Sequence, residues 1–343
     1  MPSLKRLEAK YEDLEEEYEE VRKKLKWFKK EKITKTDSEA KYELERRIEE
    51  YEAKLEEIEA ELDELEKQIN QPKAGENSDL EKSQTFDFLY KSLLKLGYWE
   101  QQNLFEEIAG KHSHGVFLIQ GRSKDYGQRW LLNRLASPSI IPKILEGKSI
   151  IIDLNRTSSR TDILAIWDEF AGRVGLPEKS LPSQITEKIC ELWKSQNVLI
   201  AFNNADETIK ENLCDLLNIF WASLTQKILA DNSQEHSFKL MIFLIDYQCV
   251  ISQWNVGFVE NYDSDWQPNL PLGLPAINPF LEKDMRDWLN YQSDFLPPAI
   301  SANKTETLRM LSEKQGIPMP TFRKICDLCG CNWFEQENKW LRL

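Results

Sequence analysis

Phe117-Leu-Ile-Gln-Gly-Arg-Ser-Lys-Asp-Tyr-Gly-Gln-Arg-Trp-Leu-Leu-Asn-Arg-Leu135 reads as a short apolar strand, a polar loop between two glycines, and an amphipathic helix. A strand entering a glycine-bounded loop that opens a helix is the setting in which backbone amides and a helix N-terminus cradle phosphate groups. A working phosphate loop has four residues between its glycines. Lys then meets the β- and γ-phosphates, and Ser or Thr holds magnesium. Here five residues separate Gly121 from Gly127, Gln128 stands at the Lys position and Arg129 at the Ser/Thr position. A neutral amide does not neutralise phosphate, and a guanidinium has no lone pair to offer a metal. Gly121, Lys124, Gly127, Gln128 and Arg129 therefore form a degenerate phosphate-loop remnant, in which Lys124 and Arg129 are the nearby cations. Arg129 is expected to fork onto a carboxylate such as Asp153 or onto strand-end carbonyls, holding the loop closed without phosphate.

Outward from this stretch the strands are continuous apolar runs: Val116–Ile119, Lys148–Leu154, Val198–Phe202 and Leu240–Ile245. Such runs are expected where both faces of a sheet are covered. Helical patterns at 127–136, 161–174, 183–195 and 207–230 alternate with them, after one or two amphipathic helices over Phe86–Ala109. The expectation is a doubly wound, parallel-sheet α/β domain of the P-loop-NTPase type over residues 85–260. A hydrolase of this type places acidic residues at the end of a central strand, to hold magnesium and polarise water. The third strand instead ends in Asn203-Asn204; Asp206 and Glu207 come later, where helix capping explains them, and the fourth strand ends in Asp246. Tyr262–Pro279 reads as loop. Helical patterns over Phe280–Tyr291, Thr305–Glu313 and Pro320–Cys329 then define a small helical, winged-helix-like subdomain over 261–343.

The first 71 residues are of another kind, with 23 Asp/Glu, 16 Lys/Arg and no glycine. Leu4, Leu7, Tyr11, Leu14, Tyr18, Val21, Leu25 and Phe28 keep an unbroken heptad, and so do Leu44, Ile48, Tyr51, Leu55, Ile58, Leu62, Leu65 and Ile69. The phase breaks at Thr34–Ser38, whose Thr36, Asp37 and Ser38 are N-cap residues for a second helix. Residues 1–71 thus predict an antiparallel coiled-coil hairpin, followed by a Pro/Gly/Asn/Ser linker at 72–84. A two-helix seam is narrow, and the extra aromatics Trp27, Phe28 and Tyr42 point to a further helix pair, supplied by a second copy or a different protein. Leu14, Tyr18, Leu25, Tyr51, Leu55 and Leu62 are the candidate partner-binding positions.

A formal charge of −13 argues against general nucleic-acid binding. No apolar run reaches the ~20 residues that span a bilayer, and the charged N-terminus is no signal peptide. The expected location is the cytoplasm. Cys190, Cys214 and Cys249 read as small buried hydrophobes. Cys326, Cys329 and Cys331 have no fourth Cys or His near them, so a zinc site is not expected. His112 and His114 read as loop residues. Trp130, Trp167, Trp193 and Trp288 fall on apolar helix faces and are expected in the core.

Leu93-Leu-Lys-Leu-Gly-Tyr98, Gln101-Gln102, Phe105 and Gly127-Gln-Arg-Trp-Leu-Leu-Asn-Arg-Leu135 resemble the inactive branch of the STAND class. These are bacterial relatives of signal-transducing P-loop NTPases that keep the fold and lose its nucleotide chemistry, in conflict and cell-death systems. The hairpin, with Tyr42-Glu-Leu-Glu45, resembles effector-associated domains, adaptor modules that pair like with like. Pro271-Leu-Gly-Leu-Pro275 is similar to a turn near the end of such NTPase cores. The resemblance implies a non-enzymatic adaptor or signalling platform without a cofactor. Its hairpin recruits an effector bearing a similar hairpin: a protease, TIR protein, nuclease or pore-former. The alternative is an active ATPase switch with Lys124 or Arg129 as surrogate phosphate-binding cation. Purified protein is expected to show no magnesium-dependent ATP or GTP hydrolysis above background. Turnover that disappears in a Gly127→Asp variant would contradict this reading.

Overall fold

The computed structural model describes residues 86–230, 237–263, 265–293 and 295–341, with separate positions between 14 and 58. Leu4, Leu7, Tyr11, Trp27, Thr34–Ser38, Tyr42, Leu62, Leu65, Ile69, the linker 72–84 and His236 lie outside the described residues. The chain divides into two compact units, Met1–Gln84 and Thr85–Leu343.

In the first unit the described heptad residues pair end to end in antiparallel fashion. Leu14 and Val21 pack with Ile58, while Leu25 and Phe28 pack with Ile48 and Leu44. Phe28, both a heptad position and one of the aromatics read as pointing to a further helix pair, is buried, its ring 5.2 Å from that of Tyr51 and beneath the Arg47 guanidinium. Tyr18, Tyr51 and Leu55 are only partly covered.

The second unit begins with helical residues 86–93. Then come α1 (Trp99–Lys111), β1 (His114–Gln120), α2 (Gln128–Leu135), β2 (Lys148–Asp153), α3 (Thr157–Thr161), α4 (Ile163–Val174) and α5 (Pro182–Trp193). Next are β3 (Val198–Asn203), α6 (Lys210–Asp215), a π turn at Leu216–Trp221, α7 (Ala222–Ala230), β4 (Leu240–Asp246) and β5 (Leu272–Gly273). The C-terminal part is helical: α8 (Glu282–Tyr291), α9 (Pro298–Ser301), α10 (Lys304–Ser312), α11 (Pro318–Leu328) and α12 (Trp333–Trp340). Among the described residues no strand follows Gly273.

The sheet is parallel throughout, in the order β2-β3-β4-β1-β5. Alternation along the strands divides the core in two. Val116, Leu118, Ile150, Ile152, Ile200 and Ile242 face α4, α5 and the 210–230 helices. Phe117, Ile119, Leu199, Met241, Phe243 and Ile245 face α1, α2 and the C-terminal helices. The helix after β1 thus lies on one face and those after β2 and β3 on the other. Such a reversal leaves a crevice at the C-terminal ends of the strands, where ligands of α/β sheets bind. β5 is a strand of two residues inside the stretch expected to be loop; it pairs with Phe117 and Leu118 and is bridged by Val259 on its outer side.

The C-terminal helices share the core of the sheet face. Trp130 of α2 packs at 5.0 Å on Phe322 and 5.3 Å on Trp333, and Trp340 stacks on Tyr90. Trp167, Trp193 and Trp288 are also buried. Of the cysteines, Cys326 and Cys331 are buried, whereas Cys190, Cys214 and Cys249 are half-exposed rather than interior. Cys190 flanks the second cluster without entering it, and Cys249 sits at a positive-φ position of the turn after β4.

The Leu93–Phe105 motif is held by polar bonds. Arg134, almost fully buried, donates from Nη1 to the carbonyls of Leu96 (3.1 Å) and Gly97 (2.6 Å) and from Nε to Gln102. Its guanidinium also lies over the Trp99 ring. Burial pulls its pKa down to about 10, so it stays charged near neutral pH. Gln101 donates to the carbonyls of Pro275 and Ala276, and Asn133 to the hydroxyl of Tyr90. Gly97, at φ 65°, has Phe280 against it: a Cβ there would lie 2.1 Å from the ring. Arg134→Met should cost about 3 kcal/mol in chemical denaturation, because it strands buried acceptors. Arg134→Lys should recover little of it, since an ammonium lacks the fork that spans these acceptors.

Candidate functional site

β1 delivers Gly121 to the C-terminal edge of the sheet, where its amide donates to the Asp246 carbonyl at 3.2 Å. The loop then tightens into a 3-10 turn, Lys124–Tyr126. In it the amide of Tyr126 donates to Ser123 (3.0 Å) and that of Gly127 to Lys124 (3.2 Å). These are amides that a phosphate loop would present to its ligand. Gly127, at φ 72°, turns the chain into α2.

Gln128 closes the loop from within. Its side chain is fully buried, and Nε2 donates to the carbonyls of Ser123 (3.1 Å) and Asp246 (3.2 Å). A Cβ on Gly121 would meet that same Nε2 at 2.7 Å and the Tyr126 Cβ at 2.8 Å, so loop and amide are folded onto the glycine. From outside, Tyr98 donates from Oη to the Tyr126 carbonyl at 3.0 Å. Burial raises the Tyr98 phenol far above its ordinary range, which keeps it a neutral donor. The ring is held edge-on against Phe280 at 5.2 Å, and its hydroxyl stands where a Cβ on Gly127 would need to be. Arg129, the second residue of α2, is exposed.

The acids of the site are committed elsewhere. Asp246, which from the sequence looked the best placed to serve a metal, is fully buried. Its Oδ1 accepts from the amide of Gln248 and its Oδ2 from that of Ile251, both at 2.8 Å. Burial raises its pKa against the pull of those bonds. Asn203 Oδ1 accepts from the Tyr247 hydroxyl at 2.8 Å, and Asn204 donates from Nδ2 to Asp153 at 2.7 Å. Asp206 and Glu207, read as helix-capping residues, lie in a 3-10 turn and engage side chains instead. Asp206 accepts from Gln248 Nε2, and Glu207 pairs with Arg160 at 3.1 Å. Among the described residues no group of three His, Cys, Asp or Glu is placed to hold a metal ion.

Gly121, Lys124, Gly127, Gln128 and Arg129 are therefore together, but in two roles. The glycines and Gln128 are interior, whereas Lys124 and Arg129 are exposed at the mouth of a pocket of about 330 Å³. Lys124 Nζ lies 5.3 Å from the centre of the Tyr247 ring. In the hairpin, Leu14 and Leu25 are buried, Tyr18, Tyr51 and Leu55 are half-buried, and Leu62 lies outside the described residues. Sequence reasoning passed over Tyr98 and Arg323. Tyr98 follows a glycine in the quoted motif, which marks a turn. Arg323 had no sequence signal, because its place beside Asp125 at 3.5 Å spans 198 residues.

Residues 93–246 match the family model described as inactive STAND, and residues 3–65 match that of effector-associated domain 9. The first contains the loop and all four long strands. No curated protein matches the chain. Among solved structures, the Aeropyrum pernix ORC1 protein in complex with DNA is similar over 70% of this chain, at 14% identity and a TM-score of 0.33. The chain spans 60% of that protein's length.

Gln128→Ala should lower stability by about 2 kcal/mol, since it strands two buried carbonyls that the amide now satisfies. Denaturant titration of the variant reads it directly, and an unchanged midpoint would contradict the role given to Gln128.

Proposed function

We propose that this chain, an inactive STAND domain joined to an effector-associated domain 9, is a non-enzymatic signalling platform that recruits an effector through its coiled-coil hairpin. The observation that carries the reading is the loop. The amide at the lysine position is used to seal the fold, and the acid at the end of β4 is used to build a turn. Nothing in that arrangement supplies a cation for a γ-phosphate inside the loop or a carboxylate for magnesium, the two elements phosphoryl transfer depends on. Output then has to pass through binding.

The hairpin is suited to that. Leu14, Val21, Leu25, Phe28, Ile48 and Ile58 bury themselves inside it and make it a folded module. Tyr18, Tyr51 and Leu55 leave apolar surface on the seam, and apolar burial contributes roughly 0.8 kcal/mol per CH₂. Pairing with a second hairpin in a four-helix bundle would cover these three residues, while flanking Glu and Lys select the partner. The partner of this reading is a protease, TIR protein, nuclease or pore-former with a similar hairpin, in a bacterial defence or cell-death system. Self-association through the same seam is the homotypic version of the contact.

Because Leu14 is interior to the hairpin, the half-buried positions make the cleaner test. Tyr18→Asp combined with Leu55→Asp should abolish capture of a hairpin-bearing effector encoded beside this gene, and any self-association, with residues 85–343 still folded. Deleting residues 1–71 should give the same loss. Light scattering and a pull-down decide it: a truncated core that associates as strongly as the intact chain makes the hairpin a spacer.

A further inference from the structure

α11 runs out in Cys326-Asp-Leu-Cys329-Gly-Cys331, which holds three of the chain's six cysteines. The way the helix stops decides which of them meet. Gly330, at φ 69°, takes a left-handed turn that a residue with a Cβ resists. Its amide donates to the Asp327 carbonyl at 3.0 Å, and the amide of Cys331 reaches back to the Cys326 carbonyl at 2.9 Å. This pair of bonds is a Schellman cap, which folds the residue after the glycine onto the third-last residue of the helix. The side chains that meet there are commonly apolar. Here they are two thiols, and the Cys326 S–H donates to the Cys331 sulfur.

The two sulfurs are unequal. The bond from Cys326 holds the Cys331 thiol below its ordinary range, against the opposing effect of burial. As the donor, Cys326 stays protonated far above that range. Burial pushes the thiol of Cys329, which lies between them in sequence, up to about 12. The thiolate is the nucleophilic form, so Cys331 is the reactive member and Cys326 its partner. Their positions agree with this. Cys326 is fully buried and Cys331 is 6% exposed, but Cys331 stands in the turn between exposed Gly330 and exposed Asn332. A Cβ on Gly330 would meet no atom within 4 Å, so the turn has open space beside it. Opening such a turn locally costs far less than unfolding the core. Cys249 is half-exposed, yet burial and the Asp246 carboxylate push its thiol up instead.

We propose that Cys326 and Cys331 form an oxidisable dithiol, a modification site that hydrogen peroxide converts reversibly into a disulfide across the turn between α11 and α12. The Cys331 thiolate attacks one peroxide oxygen and the O–O bond breaks. Cys331 becomes a sulfenic acid, and the departing hydroxide takes up the proton that the thiol had released. Cys326 no longer faces a thiolate. Its sulfur attacks that of Cys331, the S–O bond breaks, and the Cys326 proton leaves with the hydroxyl as water. Two thiols and one peroxide give one disulfide and two waters, with two electrons passing from sulfur to oxygen. Trp333, two residues beyond Cys331, stacks on Phe322 at 5.9 Å and lies 5.3 Å from Trp130. The new bond therefore forms beside the aromatic contacts that join the C-terminal helices to α2. None of these steps involves the hairpin, so they stand apart from what the hairpin captures.

The test uses the full chain, reduced and then exposed to hydrogen peroxide with the reductant removed. Its intact mass should fall by two hydrogens. Cleavage before Asp327, which separates Cys326 from the other two cysteines of the turn, should leave the fragments joined until dithiothreitol is added. Cys190, Cys214 and Cys249 should still alkylate. Cys329→Ser should form the disulfide as the parent does, whereas Cys326→Ser and Cys331→Ser should both lose it. Those two variants should also differ from each other: dimedone should trap a sulfenic acid in Cys326→Ser and not in Cys331→Ser. Melting curves of the reduced variants check that serine is tolerated, and the result on the parent stands without them. The proposal is overturned if the parent keeps all six thiols or gains oxygen without losing two hydrogens. It is equally overturned if Cys329→Ser abolishes the disulfide, or if Cys190, Cys214 or Cys249 is consumed before the pair.

Discussion

The carboxamide of Gln128 sits inside the loop it terminates, donating at once to the carbonyl of Ser123 in the loop and of Asp246 at the end of β4. This pair of bonds ties the start of α2 to the loop and to the end of β4, at the crevice where an α/β sheet would take a ligand. The position suits an amide and not an ammonium. In a sealed interior a lysine would shed its hydration against two neutral carbonyls, with no phosphate to offset the cost. The same geometry accounts for Asp246, whose carbonyl serves the loop while its carboxylate builds the next turn. The closure of the loop and the commitment of Asp246 thus meet at the same end of the sheet.

The rest of the Gly127–Leu135 block extends the effect outward. Trp130 provides the surface on which Phe322 and Trp333 of the C-terminal helices rest, and Arg134 ties α2 to the turn that carries Gly97 and Tyr98. Tyr98 then closes the circuit by binding the loop carbonyl of Tyr126. The motif that resembles the inactive STAND branch thus works as a clamp between loop, sheet and C-terminal helices. Its polar residues are spent on structure, and the loop amides of Tyr126 and Gly127 bond to loop carbonyls.

How much of this was legible in the sequence depends on the range of the interaction. β1 to β4 were visible because strands buried on both faces must be apolar throughout, and the heptads because their period is local. β5 was not: two residues, Leu272-Gly273, inside a Pro- and Gly-rich stretch carry no periodic signal. The same holds for α9, a single turn, and for α12, whose Trp333 and Trp340 are buried although the segment between them is polar but for an exposed Phe334. At the site, the absence of Lys and Ser/Thr could be read directly. What replaced them could not, because Gln128 is bonded to a carbonyl 118 residues away, although the Asp246 carboxylate is held by amides only two and five residues on. Arg134, which the sequence did not single out, holds a structural post on the Leu96-Gly97 turn, and only the position of that turn in the fold reveals it.

The claim that the loop is closed by its own chain is tested most directly by hydrogen exchange at the amides of Gly121 and Gly127 in protein free of nucleotide. Both are interior and bonded, to the carbonyls of Asp246 and Lys124. The account predicts slow exchange at both, tracking the stability of the surrounding core and unchanged by saturating magnesium-ATP. Fast exchange in the free protein that becomes slow when magnesium-ATP is added would show a loop waiting for phosphate, and would contradict the account.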